Sequence, residues 1–267
     1  ALAGAIDYLQ KNRADYVVLA DGDLIANIDI SEVVQAHENG GNDITMVVTK
    51  KSADNPFTTY CELNRKREIV DIRVGDNNDG KCKYSALGVY VMSRQYLIHL
   101  IADCVTHNCI HFERELLTRA LNDSNIGAYV FNEYNTKVFD AKDYFQANMD
   151  ILDKDCRDEL FLRTRPIFTR IYDEAPAYYG DQAEVCDSLV ADGCHIEGKV
   201  TNSVLFRDVL VEKDAEIKNS IIMENGRVLS GASLAHIVLD RGVTIREGRT
   251  MMGHENYPVV IAKRSVV

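Results

Sequence analysis

The sequence predicts an α/β domain followed by a left-handed parallel β-helix, and three observations carry that expectation. Over residues 1–152 the apolar periods alternate between helical and extended, as in an α/β domain. Residues 153–183 hold Pro166 and Pro176 and keep no clear period, which reads as a linker. From residue 184 to the end at 267, aliphatic side chains recur six apart in threes. Leu205, Val211 and Ile217 form one group, Ile222, Val228 and Leu234 the next, Leu239, Ile245 and Met251 the third, each starting 17 residues after the last. Val190 and Ile196 make an earlier, shorter group. Neither a helix nor an alternating strand gives this spacing; a triangular coil with one inward side chain per face does. Gly193, Gly198, Gly226, Gly231, Gly242 and Gly248 fall between the aliphatics, where tight corners favour residues that tolerate unusual backbone angles.

The elements of the first domain follow in order. Leu2, Ala5, Ile6 and Leu9 lie on one face of an opening helix. The chain begins inside this helix without a methionine, so a preceding part of the domain is expected. Residues 16–20 are a continuous apolar strand, and Ser31 starts a helix through Val33, Val34 and His37. Residues 43–49 form a second strand. Residues 61–63 and 69–72 flank the charged turn "NRKRE" as a hairpin. "YSALGVYVM", residues 84–92, is a further buried strand. Residues 94–104, 112–121 and 142–152 read as amphipathic helices, with a strand at 127–131 before the last of them.

Composition narrows the function. The 267 residues carry 41 Asp and Glu against 30 Lys and Arg, a formal charge of −11, with no basic run to neutralise a row of phosphates. Nucleic acid is therefore not an expected partner. No stretch has the apolar length needed to cross a bilayer and the N-terminus lacks a signal-peptide pattern, so a cytoplasmic protein without membrane contact is expected. Seven cysteines at scattered spacings read as reduced thiols. Cys104, His107 and Cys109 could suggest a metal site, but they sit at a frayed helix end with no second Cys/His pair nearby.

Five stretches, "YVVLADGDLIANID", "LGVYVM", "DYFQANMDIL", "RPIFTR" and "DSLVADGCHIEGKVTNSVLF", together resemble bacterial glucose-1-phosphate adenylyltransferase (ADP-glucose pyrophosphorylase) over essentially the whole chain. The likeness is to the D-type subunit of glycogen synthesis. It implies a Rossmann-like nucleotidyltransferase domain, of which the sequence holds a part, because the family's glycine-rich nucleotide loop is not among these residues. In the family's reaction glucose 1-phosphate attacks the α-phosphate of ATP, with Mg²⁺ held by two carboxylates and a lysine on the sugar phosphate.

Carried onto this chain, the resemblance puts Asp23 at the first metal carboxylate, although an Asp-Gly-Asp turn would also account for it. Counting back from Ala147 and Asn148 brings Lys137 onto the second, with Asp140 reachable only by a three-residue shift. Val74 and Gly75 stand where the family has its glutamate and lysine, and Ala86 stands for its serine. These changes imply a vestigial Asp23, no bound Mg²⁺, and a regulatory or weakly catalytic subunit. Its expected partners are a catalytic homologue and further copies of itself, with a nucleotide or sugar-phosphate effector. Two alternatives stand beside this: a fully active sugar-phosphate nucleotidyltransferase with a rearranged site, and a β-helix acyltransferase using His195 or His236 as base. The second leaves residues 1–150 without a role.

Overall fold

The structure is a computed structural model that describes residues 2–50, 56–75, 80–107, 109 and 111–267. The chain divides into two compact units, residues 1–133 and 134–267. The first is Rossmann-like and the second contains a parallel β-solenoid, as the sequence predicts.

In the first unit a short helix, α1 (Ile6–Lys11), leads into strands β1 (Tyr16–Ala20) and β2 (Leu24–Ala26) and helix α2 (Ile30–Gly40). The Asp29 carboxylate accepts the N–H groups of Ser31 and Glu32 and so caps the start of α2. Gly41, at φ +58°, ends the helix in the left-handed conformation. Then come β3 (Ile44–Thr49), the hairpin β4 (Thr59–Leu63) and β5 (Ile69–Val74), and the ten-residue β6 (Tyr84–Ser93). Helix α3 (Arg94–Thr106) is capped by Ser93; a π-helical turn over Phe112–Leu117 runs into α4 (Thr118–Asp123), and β7 (Ile126–Val130) closes the unit.

The main sheet runs β5-β4-β6-β3-β7, with β1 paired antiparallel to β6. Alternate residues of a strand face opposite sides, so the same strands serve two cores. Ile44, Met46, Val48, Tyr90 and Met92 pack with Leu97, Leu100, Ile101 and Leu117 on one face. Val47, Leu87, Val89 and Val91 pack with Val33 of α2 and Phe131 on the other. Because both faces are covered, β3 is buried at every position rather than at alternate ones, Thr45 and Thr49 included. Each fully buried aliphatic side chain here contributes about 1.5–3 kcal/mol.

In the second unit β8 (Asn135–Lys137) precedes α5 (Ala141–Asp150) and α6 (Lys154–Leu160). Residues 154–160, which show no period in the sequence, form this short helix because Asp153 caps it through the N–H groups of Asp155 and Cys156. Helix α5, which the apolar period groups with the first domain, buries Phe145 against Ile221 and Val238 of the solenoid. Strand β9 (Tyr178–Tyr179) opens the coil, within the stretch read as linker.

The coil is three parallel five-stranded sheets. Inward residues stack as Val185, Val200, Ile217, Leu234 and Met251 on one face. Val190, Leu205, Ile222, Leu239 and Ile261 stack on the next. Ile196, Val211, Val228 and Ile245 stack on the third, with the half-exposed Tyr179 in register at its open end. The six-residue rule misses Val185 and Val200, since Ile196 and Val200 are only four apart and one corner is a residue shorter in each coil before Met251. That corner is built from Asp187, Asn202, Asn219 and His236, each at positive φ. A serine follows the first three. Ser188, Ser203 and Ser220 each accept the backbone N–H of the residue one coil on, at 3.1 Å.

Candidate functional site

The candidate site is a cleft of about 330 Å³ in the first unit, and the sheet builds it by a kink. Along one edge, β6 pairs with β4 at Tyr84 and Ser85 and with β1 from Val89 to Ser93. Between these stretches lies Gly88, at φ +75°. Its carbonyl accepts the N–H of Asp21 at 3.0 Å. A Cβ on Gly88 would come within 1.9 Å of Asp21 Oδ2, so only glycine lets the chain after β1 turn its carboxylate into this position.

Asp21, Tyr90 and Val74 line the cleft from the sheet. Phe57 lines it from the start of the hairpin, and His111, Phe112, Glu113 and Arg114 from the π-helical turn. In that turn His111 presents its carbonyl to the N–H groups of Glu115 and Leu116, while Glu115 accepts the His111 N–H at 3.1 Å. Such turns recur at functional sites because the extra residue per turn re-aims side chains. Here the turn directs Glu113 inward, where it accepts the hydroxyls of Thr59 and Tyr90. Tyr90 is almost fully buried and meets Phe112 edge-on, ring centroids 5.1 Å apart. Burial, and next the adjoining Glu113 carboxylate, push its ionisation well above the ordinary tyrosine value. The cleft therefore offers aromatic faces for a ring, carboxylates for hydroxyls and, from Arg114 and His111, positive or donor groups for an anion.

Val74 lines the cleft, and Gly75 follows it at φ +77° with its N–H on the Thr58 carbonyl. A Cβ at Gly75 would lie 2.3 Å from the Pro56 carbonyl oxygen. Ala86 is buried in the sheet's core and is not among the residues that line the cleft. Asp23 sits half-buried in the turn between β1 and β2, and it is the neighbouring Asp21 that lines the cleft. Lys137 belongs to the second unit, at the end of β8, its ammonium 5.7 Å from the Phe139 ring centroid. Asp140 caps α5 by accepting the Asp143 N–H.

Of the alternative bases, His195 stacks on Tyr178 and lies 3.2 Å from Glu197, while His236 continues the corner ladder beneath Asn219. Sequence reasoning passed over Asp21, Glu113 and Tyr90. One local signal existed for the first: an isolated glycine inside the apolar run of β6 marks close approach of another segment. Glu113 carries no such signal.

The cleft's donor set does not make a Mg²⁺ cage. Mg²⁺ demands near-octahedral oxygen ligation, whereas Glu113 is engaged by two hydroxyls and Asp21 is packed on the Gly88 backbone. Among the described residues no group of three or more His, Cys, Asp or Glu is placed to hold a metal ion. No described helix is long and apolar enough to cross a membrane.

Comparison with known proteins gives two findings. Residues 175–257 match the family model described as GlmU-like, C-terminal hexapeptide, in agreement with the solenoid. Over most of its length the chain is similar to proteins named glucose-1-phosphate adenylyltransferase. That of Bacillus thuringiensis (strain Al Hakam) is 26% identical over 266 residues, 96% of this chain and 69% of the relative. That of Geobacillus stearothermophilus is 29% identical over 219 residues, 80% of this chain and 56% of the relative. That of Bacillus cytotoxicus is 25% identical over 266 residues, 96% of this chain and 69% of the relative.

Proposed function

We propose that this chain is a regulatory or weakly catalytic subunit of a glucose-1-phosphate adenylyltransferase, acting in cytoplasmic glycogen synthesis beside a catalytic homologue. The names of its relatives support the reaction, and Gly75 carries the assignment of role. Transfer of a nucleotidyl group to a sugar phosphate needs a fixed cation on that phosphate. At Gly75 the left-handed backbone and the Pro56 carbonyl leave no room for even a methyl group, so a lysine there would require the end of the hairpin to be rebuilt. Val74 adds an apolar wall where the resemblance expects a carboxylate. Mg²⁺, when bound in such an enzyme, stabilises charge on the reacting phosphates. In this reading it is supplied by the catalytic partner's site, with Asp23 and Lys137 as the remnants of one here. Copies of the chain itself and a nucleotide or sugar-phosphate effector complete the proposed partners.

A second reading, an active nucleotidyltransferase with a rearranged site, draws on Arg114 and His111, which bring cationic groups to the cleft from another element. Turnover separates the two. The complete protein is assayed with ATP, Mg²⁺ and glucose 1-phosphate, alone and mixed with a catalytic homologue. Loss of a metal carboxylate and of a phosphate lysine, at a few kcal/mol each, predicts a rate alone at least about a thousandfold below the homologue. Comparable turnover by the protein alone would overturn the regulatory reading and favour the second.

A further inference from the structure

Helix α3 ends against the loop that feeds the π-helical turn, and two cysteines meet there. The Cys109 N–H donates to the Cys104 carbonyl at 2.9 Å, and the Cys104 thiol points back to the Cys109 carbonyl at 3.5 Å. Both residues are half-buried, so an oxidant can reach them. Their surroundings differ. The Arg119 guanidinium donates to Cys109 Sγ at 3.7 Å and so sets a cation beside that sulfur. The Cys104 thiol is pushed up, first by burial and then by Cys109. A close pair of thiols, one beside a cation, is the arrangement of an attacking and a resolving cysteine.

We propose that Cys104 and Cys109 are a redox modification site that closes reversibly to a disulfide under peroxide. The Cys109 thiolate attacks a peroxide oxygen; the O–O bond breaks, a Cys109 sulfenic acid forms, and the departing hydroxide takes a proton to become water. The Cys104 sulfur then attacks the sulfenic sulfur. The S–S bond forms as the S–O bond breaks, the Cys104 proton accompanies the departing hydroxide, and a second water is released. Two electrons pass from the thiol pair to the peroxide, and a dithiol reductant returns them. The bond falls two residues before His111, so it would tether the segment that carries one wall of the cleft to the end of α3. Cys61 and Cys82 are buried in the same unit, and burial pushes the Cys61 thiol up to about 12, so that site stays reduced under the same oxidant.

The test uses the intact, fully reduced chain, treated with hydrogen peroxide, alkylated and mapped by mass spectrometry. The expected product is about 2 Da lighter, unalkylated only at Cys104 and Cys109, and restored by a dithiol. Cys104→Ser should stop the reaction at a sulfenic acid on Cys109 that a dimedone probe traps, and Arg119→Ala should slow the first step about twofold to fivefold. Full alkylation of both cysteines after peroxide, or linkage of either to a different cysteine, would overturn the site. An unchanged rate in Arg119→Ala would overturn the order of attack.

Discussion

Gly88 and Asp21 are a pair in which each residue explains the other. A methyl group at Gly88 meets both a left-handed φ and the Asp21 carboxylate, so Gly88→Ala should destabilise the first unit by about 1–3 kcal/mol or more. In an Asp21→Gly background the clash is gone and the strain of φ alone remains, so the same substitution should cost less by about 1 kcal/mol. Urea unfolding of the four proteins checks this; strictly additive costs would mean that Asp21 is not what fixes the glycine. Tyr90 supports a second expectation, on pH. Its folded-state ionisation is raised above the unfolded value near 10. Its contribution is therefore fully present below pH 10 and is lost as pH rises above that value, because the unfolded chain releases the proton first. Tyr90→Phe should lower stability at neutral pH by about 1–3 kcal/mol, since Glu113 loses a donor, and should flatten the alkaline limb of stability against pH. An alkaline limb of unchanged slope would count against the buried Tyr90–Glu113 contact.

Among the elements, the solenoid corner shows how short strands are held. Strands of two or three residues offer few ladder bonds, and the stack is completed by serine hydroxyls bridging one coil to the next. Ser220 accepts the N–H of Ile237, both residues being fully buried, and donates to the carbonyl of Lys218. Ser220→Ala orphans a buried N–H and should cost about 1–3 kcal/mol. Ser188→Ala, at the half-buried first rung, should cost less, because water can replace the hydroxyl. Thermal melts of the two variants decide; equal losses would mean that burial of the rung does not set its worth. The residues before the serines sit at positive φ, which Asn tolerates far better than a β-branched residue. This is why polar residues, rather than further glycines, mark the short corner.

For the whole molecule, the division at residue 134 has a consequence for folding. The inward stack of the solenoid and the Phe145 cluster that seals α5 onto it draw only on residues after 134. Residues 134–267 expressed alone should therefore unfold in one cooperative thermal transition, whereas a piece starting at 153 lacks Phe145 and exposes Ile221 and Val238. That shorter piece should melt lower, by roughly 4 °C for each kcal/mol lost in a unit of this size. Scanning calorimetry of the two pieces checks this, and equal midpoints would mean that α5 does not belong energetically to the solenoid. The segment between α6 and the coil leaves Phe168 and Ile171 about nine-tenths exposed on an otherwise acidic chain.

By itself the sequence determined the order of α/β domain and solenoid, most strand positions and the three-faced coil, since these depend on apolar period, and period is local. It also determined that Gly75 carries no side chain. The tertiary structure alone decided which carboxylate lines the cleft. Asp21 and Asp23 are equivalent by motif, and only the kink at Gly88, five strands later in the chain, selects the first. It alone brought Glu113 beneath Tyr90 and Thr59, because such meetings are set by how helices lie across a sheet and leave no trace in spacing. It alone moved α5 into the solenoid's unit: one buried phenylalanine on a helix face does not announce which core it fills, and packing against Ile221 and Val238 does.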